Sequence, residues 1–133
     1  MAEANVRWAG GRTFIGVDST KHAVLMSSPH EGVGMKASEL LLVALATCSS
    51  YDVVSILEKR KVDLQQLEVQ VSGEQAADPP WPYEKIHLKY ILSGEGVTQD
   101  MAEKAIQLSE SKYCSVAATV RGVAEITWEC VIE

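Results

Sequence analysis

The sequence is short of positive charge: 12 Lys and Arg stand against 18 Asp and Glu, for a net charge of −6. Such a deficit disfavours any function built on neutralising a phosphate backbone, and the single basic cluster, Lys59 to Lys61, reads as the solvated end of a helix. Uninterrupted apolar sequence is scarce too. The longest run is Leu40 to Ala46, well below the roughly 18 to 20 residues a bilayer span requires. The opening MAEANVRWAGG has neither the basic nor the apolar region of a secretory signal. These absences lead us to expect a soluble cytoplasmic protein with no nucleic-acid and no membrane partner. No C-x-x-C occurs, and His22, His30 and His87 have no ligand spacing to one another or to a Cys pair, so no bound metal is expected. The stretch Glu31 to Gly34 is not a G-x-G-x-x-G fingerprint, so no nucleotide cofactor is expected either.

What is present is enough for one domain, residues 1–133, since 47% of the residues are hydrophobic. The first thirty residues alternate as short strands: Val6 and Trp8 lie on one face of the first, and Phe14 and Val17 belong to the second. Gly10 and Gly11 suit the hairpin turn between them, Asp18 to Lys21 makes the next turn, and a third strand runs from about His22 to Ser27. From Ala37 to Lys61 no strong breaker occurs and Leu, Ala, Glu and Lys dominate, which predicts one long helix. Because Leu40 to Ala46 is apolar all round, that helix should be enclosed by other structure.

Two half-buried antiparallel strands should follow, around Leu67 to Val71 and Ile86 to Leu92, joined by a stiff loop from Ala76 to Pro82 that contains three prolines. A second helix should begin near Thr98 or Asp100, with Asp100 and Glu103 at capping-box spacing, and stop around Tyr113. A last strand alternates Ile126, Trp128, Cys130 and Ile132 with Thr127, Glu129 and Val131. The order predicts an α+β domain with the helices gathered on one face.

Three cysteines cannot all pair, and a reducing compartment does not sustain a structural disulfide framework, so a pair that oxidises would be reactive. Cys48 sits mid-helix in the most apolar part of the chain, where a buried packing role is the plain alternative. Cys114 stands just past the second helix, and two cysteines from two packed helices can meet. Cys130 occupies an alternating strand position that packing explains. Arg12, beside the Gly-Gly turn, is either a surface charge or a cation that offsets the desolvation of a thiolate.

The segment KASELLLVALATCSSYDVVSILEKR resembles the central-helix signature of the OsmC and organic-hydroperoxide-resistance family, and SKYCSVAATV resembles its second-cysteine segment. The order of elements matches over nearly the whole chain. The resemblance implies an OsmC-like fold, an antiparallel sheet packed around a long central helix and a second helix, in an intertwined homodimer with active sites at the interface. It also implies oxidative-stress defence by Cys-based reduction of organic hydroperoxides. Cys48 would be the attacking cysteine, Cys114 the resolving one and Arg12 the activating cation. The implied reductant is an external dithiol, in the family a dihydrolipoyl group on a partner protein, with no cofactor bound. One position departs: ten residues before the attacking Cys the family has Glu, and here stands Ser38, with Glu39 beside it. The chain most resembles a third group of OsmC-like proteins. The competing reading is a module of the same fold that binds an apolar ligand or senses redox state with little turnover.

Overall fold

A computed structural model describes the whole chain, residues 1–133, which divides into two compact units, Met1–Leu41 and Leu42–Glu133. In the first unit, β1 (Ala4–Trp8), β2 (Thr13–Asp18) and β3 (Ala23–Ser27) form an antiparallel meander. Gly10 and Gly11 take φ of +98° and +52° in the first turn, as the hairpin requires, and the Asp18 carboxylate organises the second by accepting from the Thr20 and His22 N–H groups. The chain then returns along β3, where the Ser27 N–H donates to the Met35 carbonyl oxygen and the Met35 N–H to that of Leu25, and enters α1 (Ala37–Lys59).

The second unit holds most of α1, then β4 (Asp63–Gln75), β5 (Tyr83–Glu95), α2 (Gln99–Leu108), a π-helical turn (Ser109–Tyr113), α3 (Ser115–Val120) and β6 (Glu125–Ile132). Its sheet has the order β4-β5-β6. The β4–β5 pair is antiparallel, as the alternation predicted, and Ile86, Leu88, Tyr90 and Leu92 are buried on its inner face. The last strand differs from the expected antiparallel sheet: β6 runs parallel to β5. A parallel pair needs a long crossover, and the helical segment from α2 to α3 supplies it.

The expectation that α1 is enclosed on every side is corrected. One stripe, Leu42, Leu45, Ala46, Ser49, Val53 and Leu57, is buried, while Val43, Thr47 and Tyr51 face outward. The helix also ends two residues earlier than predicted, because Lys61 turns to a φ of +59°. Taken over its whole length, α1 is long and apolar enough to cross a membrane, a point missed by counting only the uninterrupted run. Its buried stripe nevertheless belongs to the hydrophobic core, together with β5 and α2. Thr98, not Asp100, caps α2, accepting from the Met101 N–H at 3.2 Å, and Asp100 pairs instead with Lys104 one turn on.

Candidate active site

Cys48 lies beside the buried stripe of α1 and is half-buried, with Thr47 exposed before it and Ser49 buried after it. Cys114 is only 3% exposed. Its backbone is extended, its N–H donates to the Ser109 carbonyl oxygen at 2.8 Å, and its Sγ caps α3 by accepting from the Ala117 N–H at 3.3 Å. The start of α3 thus carries Cys114 into contact with α1. The two thiols are near enough for each to shift the other's pKa, and the Cys48 Sγ stands 4.0 Å from the Ser115 hydroxyl. Both are free cysteines.

Their environments push them apart electrostatically. For Cys48, burial raises the pKa, but hydrogen bonds from the Val116 N–H, the Cys114 thiol, and the Ser115 hydroxyl and N–H together bring it below the ordinary 9.0. Burial pushes Cys114 up to about 11, only partly offset by its bond from the Ala117 N–H, and the neighbouring Cys48 raises it further. The pair therefore loses its first proton at Cys48, with Cys114 the hydrogen-bond donor to the resulting thiolate. Where a guanidinium is the expected offset to desolvation, donors at the start of α3 contribute here, on a helix too short to show a period. Cys130 takes no part in the pair: its thiol is pushed up by burial and by the charge of Glu103.

Arg12 belongs to the first unit, in the β1–β2 turn, where its side chain is exposed. Its Nη1 donates to the Gly11 carbonyl oxygen at 3.2 Å, and its backbone N–H is held by Glu31. Ser38 and Glu39 fall in the first turn of α1.

A buried polar cluster went unseen in the sequence. The Ser49 hydroxyl meets the Tyr90 hydroxyl, and the Ser109 hydroxyl lies 3.2 Å from Ser49 and donates to Asp52 at 2.7 Å. The available signal was Ser49 itself, a hydroxyl at a core position of a helix, which needs a buried partner. Next to Ser109, the Glu110 Oε1 is buried without a hydrogen-bond partner, its Oε2 is 3.8 Å from Arg121, and burial raises its pKa against the lowering effect of that arginine.

The profile of the family described as OsmC-like protein matches residues 29–129. Protein YhfA of Escherichia coli K12 is 34% identical over 125 residues, which cover 94% of this chain and 93% of that protein. A crystal structure of a hypothetical protein from Aquifex aeolicus VF5 is 30% identical with a TM-score of 0.86, covering all of this chain and 98% of the other. The organic hydroperoxide resistance protein OhrB of Bacillus subtilis shares the fold at 17% identity, with a TM-score of 0.67 and coverage of 98% of both chains. Matched along three quarters of its length by the family profile and along nearly all of it by a relative a third identical, the chain belongs to the OsmC-like protein family.

Proposed function

We propose that the chain is a thiol-dependent peroxidase that reduces organic hydroperoxides in oxidative-stress defence. The observation that carries the reading is the pairing of a Cys48 thiol lowered below its ordinary pKa with a Cys114 thiol raised to about 11. The attacking sulfur must be a thiolate, and a second cysteine must stand beside it to close a disulfide once a sulfenic acid has formed. The Cys48 thiolate attacks one oxygen of the hydroperoxide, the O–O bond breaks, and the departing alkoxide takes up a proton to leave as alcohol. Cys48 is then a sulfenic acid. Cys114 attacks its sulfur, losing its thiol proton, and the displaced hydroxide leaves as water as the disulfide closes. An external dithiol, a dihydrolipoyl group on a partner protein in this reading, restores both thiols. Arg12 supplies a permanent cation to the thiolate and to the oxygen on which charge develops.

The apolar helix around Cys48 suits alkyl or lipid hydroperoxides over the strongly hydrated hydrogen peroxide. The exposed stripe of α1 supports a homodimer, and we assign the protein to the cytoplasm. A slow redox switch is the second reading, favoured by Ser38 in place of the family Glu and by the high pKa of Cys114, both of which slow the cycle. Consumption of cumene hydroperoxide with a dithiol donor separates the two. Repeated turnover by the wild type, lost in Cys48→Ser, supports the peroxidase, and a single stoichiometric oxidation supports the switch.

A further inference from the structure

We propose that the electron donor for the Cys48–Cys114 pair is an acidic protein, and that it docks on a cationic, aromatic groove between the C-terminal half of α1 and the π-helical turn. The proposal rests on the peroxidase reading, in which an external dithiol restores both thiols. It goes beyond that reading by assigning where the donor binds and which charge it carries.

The groove has a volume of about 650 Å³ and lies wholly within the second unit. One wall is α1, with Ile56 along it and Tyr51 at the rim, and the other is Leu108 at the end of α2 with Tyr113 in the π-helical turn. Both tyrosines are exposed, which is the kind of aromatic surface that protein partners bury. Lys59 and Arg60 line the far end, where α1 stops. Lys112 adds a third cation, its Nζ 5.7 Å from the centre of the Tyr113 ring. None of these three cations has a carboxylate within ion-pair distance. Asp52, the acid in the lining, is already engaged, accepting from the Ser109 hydroxyl at 2.7 Å. On a chain of net charge −6, this groove is a local reversal of sign, so an acidic protein is attracted here and repelled over the rest of the surface.

The groove also leads to the thiols. Cys48, Asp52, Ser55 and Lys59 share one face of α1, and Tyr113 directly precedes Cys114 on the opposite wall. Because Cys48 is half-buried and Cys114 only 3% exposed, an incoming thiolate reaches the Cys48 sulfur of the disulfide. It displaces Cys114, which leaves as a thiolate and takes up a proton. The donor's second thiol then loses its proton and attacks the donor's own sulfur in the mixed disulfide, which releases the Cys48 thiolate and closes the donor's disulfide. Two electrons have passed from donor to protein. A dithiol on an apolar arm, as in a dihydrolipoyl group, lies along Ile56 and Leu108 while acidic residues of its carrier meet Lys59, Arg60 and Lys112.

The test follows reduction of protein whose Cys48–Cys114 disulfide has been formed with diamide, so the donor step is read apart from peroxide turnover. The probes are peptides bearing one dihydrolipoyl-lysine, in a Glu-rich version, a version with Gln for each Glu and a version with Lys; dithiothreitol is the small neutral comparison. At low ionic strength the Glu peptide should reduce the disulfide about tenfold faster than the Gln peptide, and the Lys peptide more slowly than either. The differences should vanish at about 1 M salt, where the screening length is about 3 Å. Lys59→Glu with Arg60→Glu should remove the advantage of the Glu peptide and leave reduction by dithiothreitol unchanged, whereas Lys85→Glu with Lys89→Glu, on β5, should keep the advantage. Equal rates for the Glu and Gln peptides in the wild type overturn the docking proposal and leave the peroxidase reading standing. An equal loss with dithiothreitol in the groove variant overturns it by making the cations a general stability feature, and an equal loss in the β5 variant overturns it by making net charge the cause. If the groove variant slows only oxidation by a hydroperoxide that carries a carboxylate, the groove serves the substrate and the proposal is overturned. A wild type in which diamide links no Cys48–Cys114 disulfide overturns both the proposal and the reading beneath it. Should the charge reversal fail to fold, Lys59→Gln with Arg60→Gln carries the same comparison.

Discussion

Ser49, the residue after Cys48, places its hydroxyl 2.5 Å from the Tyr90 hydroxyl at a site where neither side chain is exposed. Through Ser109 the contact continues to the π-helical turn that ends at Cys114. A short run of hydroxyls therefore ties together α1, β5 and the turn, which are the elements that fix where the two thiols stand.

The first prediction tests that tie. Tyr90→Phe removes one buried hydroxyl and should lower unfolding stability by about 1 to 2 kcal/mol in urea titrations. It should also slow closure of the Cys48–Cys114 disulfide more than it slows the first oxidation of Cys48. Equal slowing of both steps would detach the cluster from the geometry of the pair.

Stability at high pH should report the buried thiol and phenol. Burial holds the Cys114 pKa at about 11 and the Tyr90 pKa at about 12, against ordinary values of 9.0 and 10.0. Both folded-state values are raised acids, so the unfolded chain releases these protons first. Their contribution to stability is intact below pH 9 and is lost as pH climbs through the window from about 9 to 12. Cys114→Ser combined with Tyr90→Phe should flatten the fall measured by thermal melts. An identical slope in the double variant would contradict the assignment.

Cys48 should show the opposite departure. Its alkylation rate should rise with pH and level off with a midpoint below 9.0, and Ser115→Ala should move that midpoint upward by removing one donor. A midpoint at or above 9.0 in the wild type would mean that desolvation wins at this sulfur.

The three cysteines should separate by intact mass after one equivalent of organic hydroperoxide. The wild type should lose both thiol hydrogens, Cys114→Ser should gain one oxygen, and Cys48→Ser should not change. Cys130→Ser should behave as the wild type, with at most a packing loss of about 1 to 2 kcal/mol. A Cys48–Cys130 linkage would overturn the assignment.

The outward stripe of α1 predicts self-association. Val43 is 41% exposed and Tyr51 is 74% exposed, on a helix whose opposite face is fully packed. Sedimentation should show a dimer, and Val43→Asp should give monomer. A wild-type chain that remains monomeric at micromolar concentration would remove the dimer from the reading.

The succession of strands along the chain and the long helix were legible in the sequence because period-two alternation at Ile86 to Leu92 and an unbroken Leu/Ala-rich segment leave little choice of conformation. The meeting of Cys48 and Cys114 was legible only as a possibility of helix packing. The parallel entry of β6 was hidden, since alternation names a strand but not its partner. The start of α3 was hidden because SVAAT is too short to show a period, and with it went the donors that lower Cys48. Glu31 escaped notice because its hold on Arg12 spans 19 positions and depends on the bare Gly11, so no local pattern marks it.

The π-helical turn sets how this chain can tolerate changes of length. A π turn carries one residue more than the α-helix it interrupts, so removing any one residue between Ser109 and Tyr113 would let α2 continue as an ordinary helix. That would swing the position of Cys114 by about 100° around the axis and carry its sulfur away from Cys48. An insertion near Pro79 and Pro80, in the exposed connection between β4 and β5, shifts nothing that bears a thiol. Single-residue deletion scanning should therefore find a sharp boundary in redox activity at Ser109, with length changes permitted in the one segment and forbidden in the other.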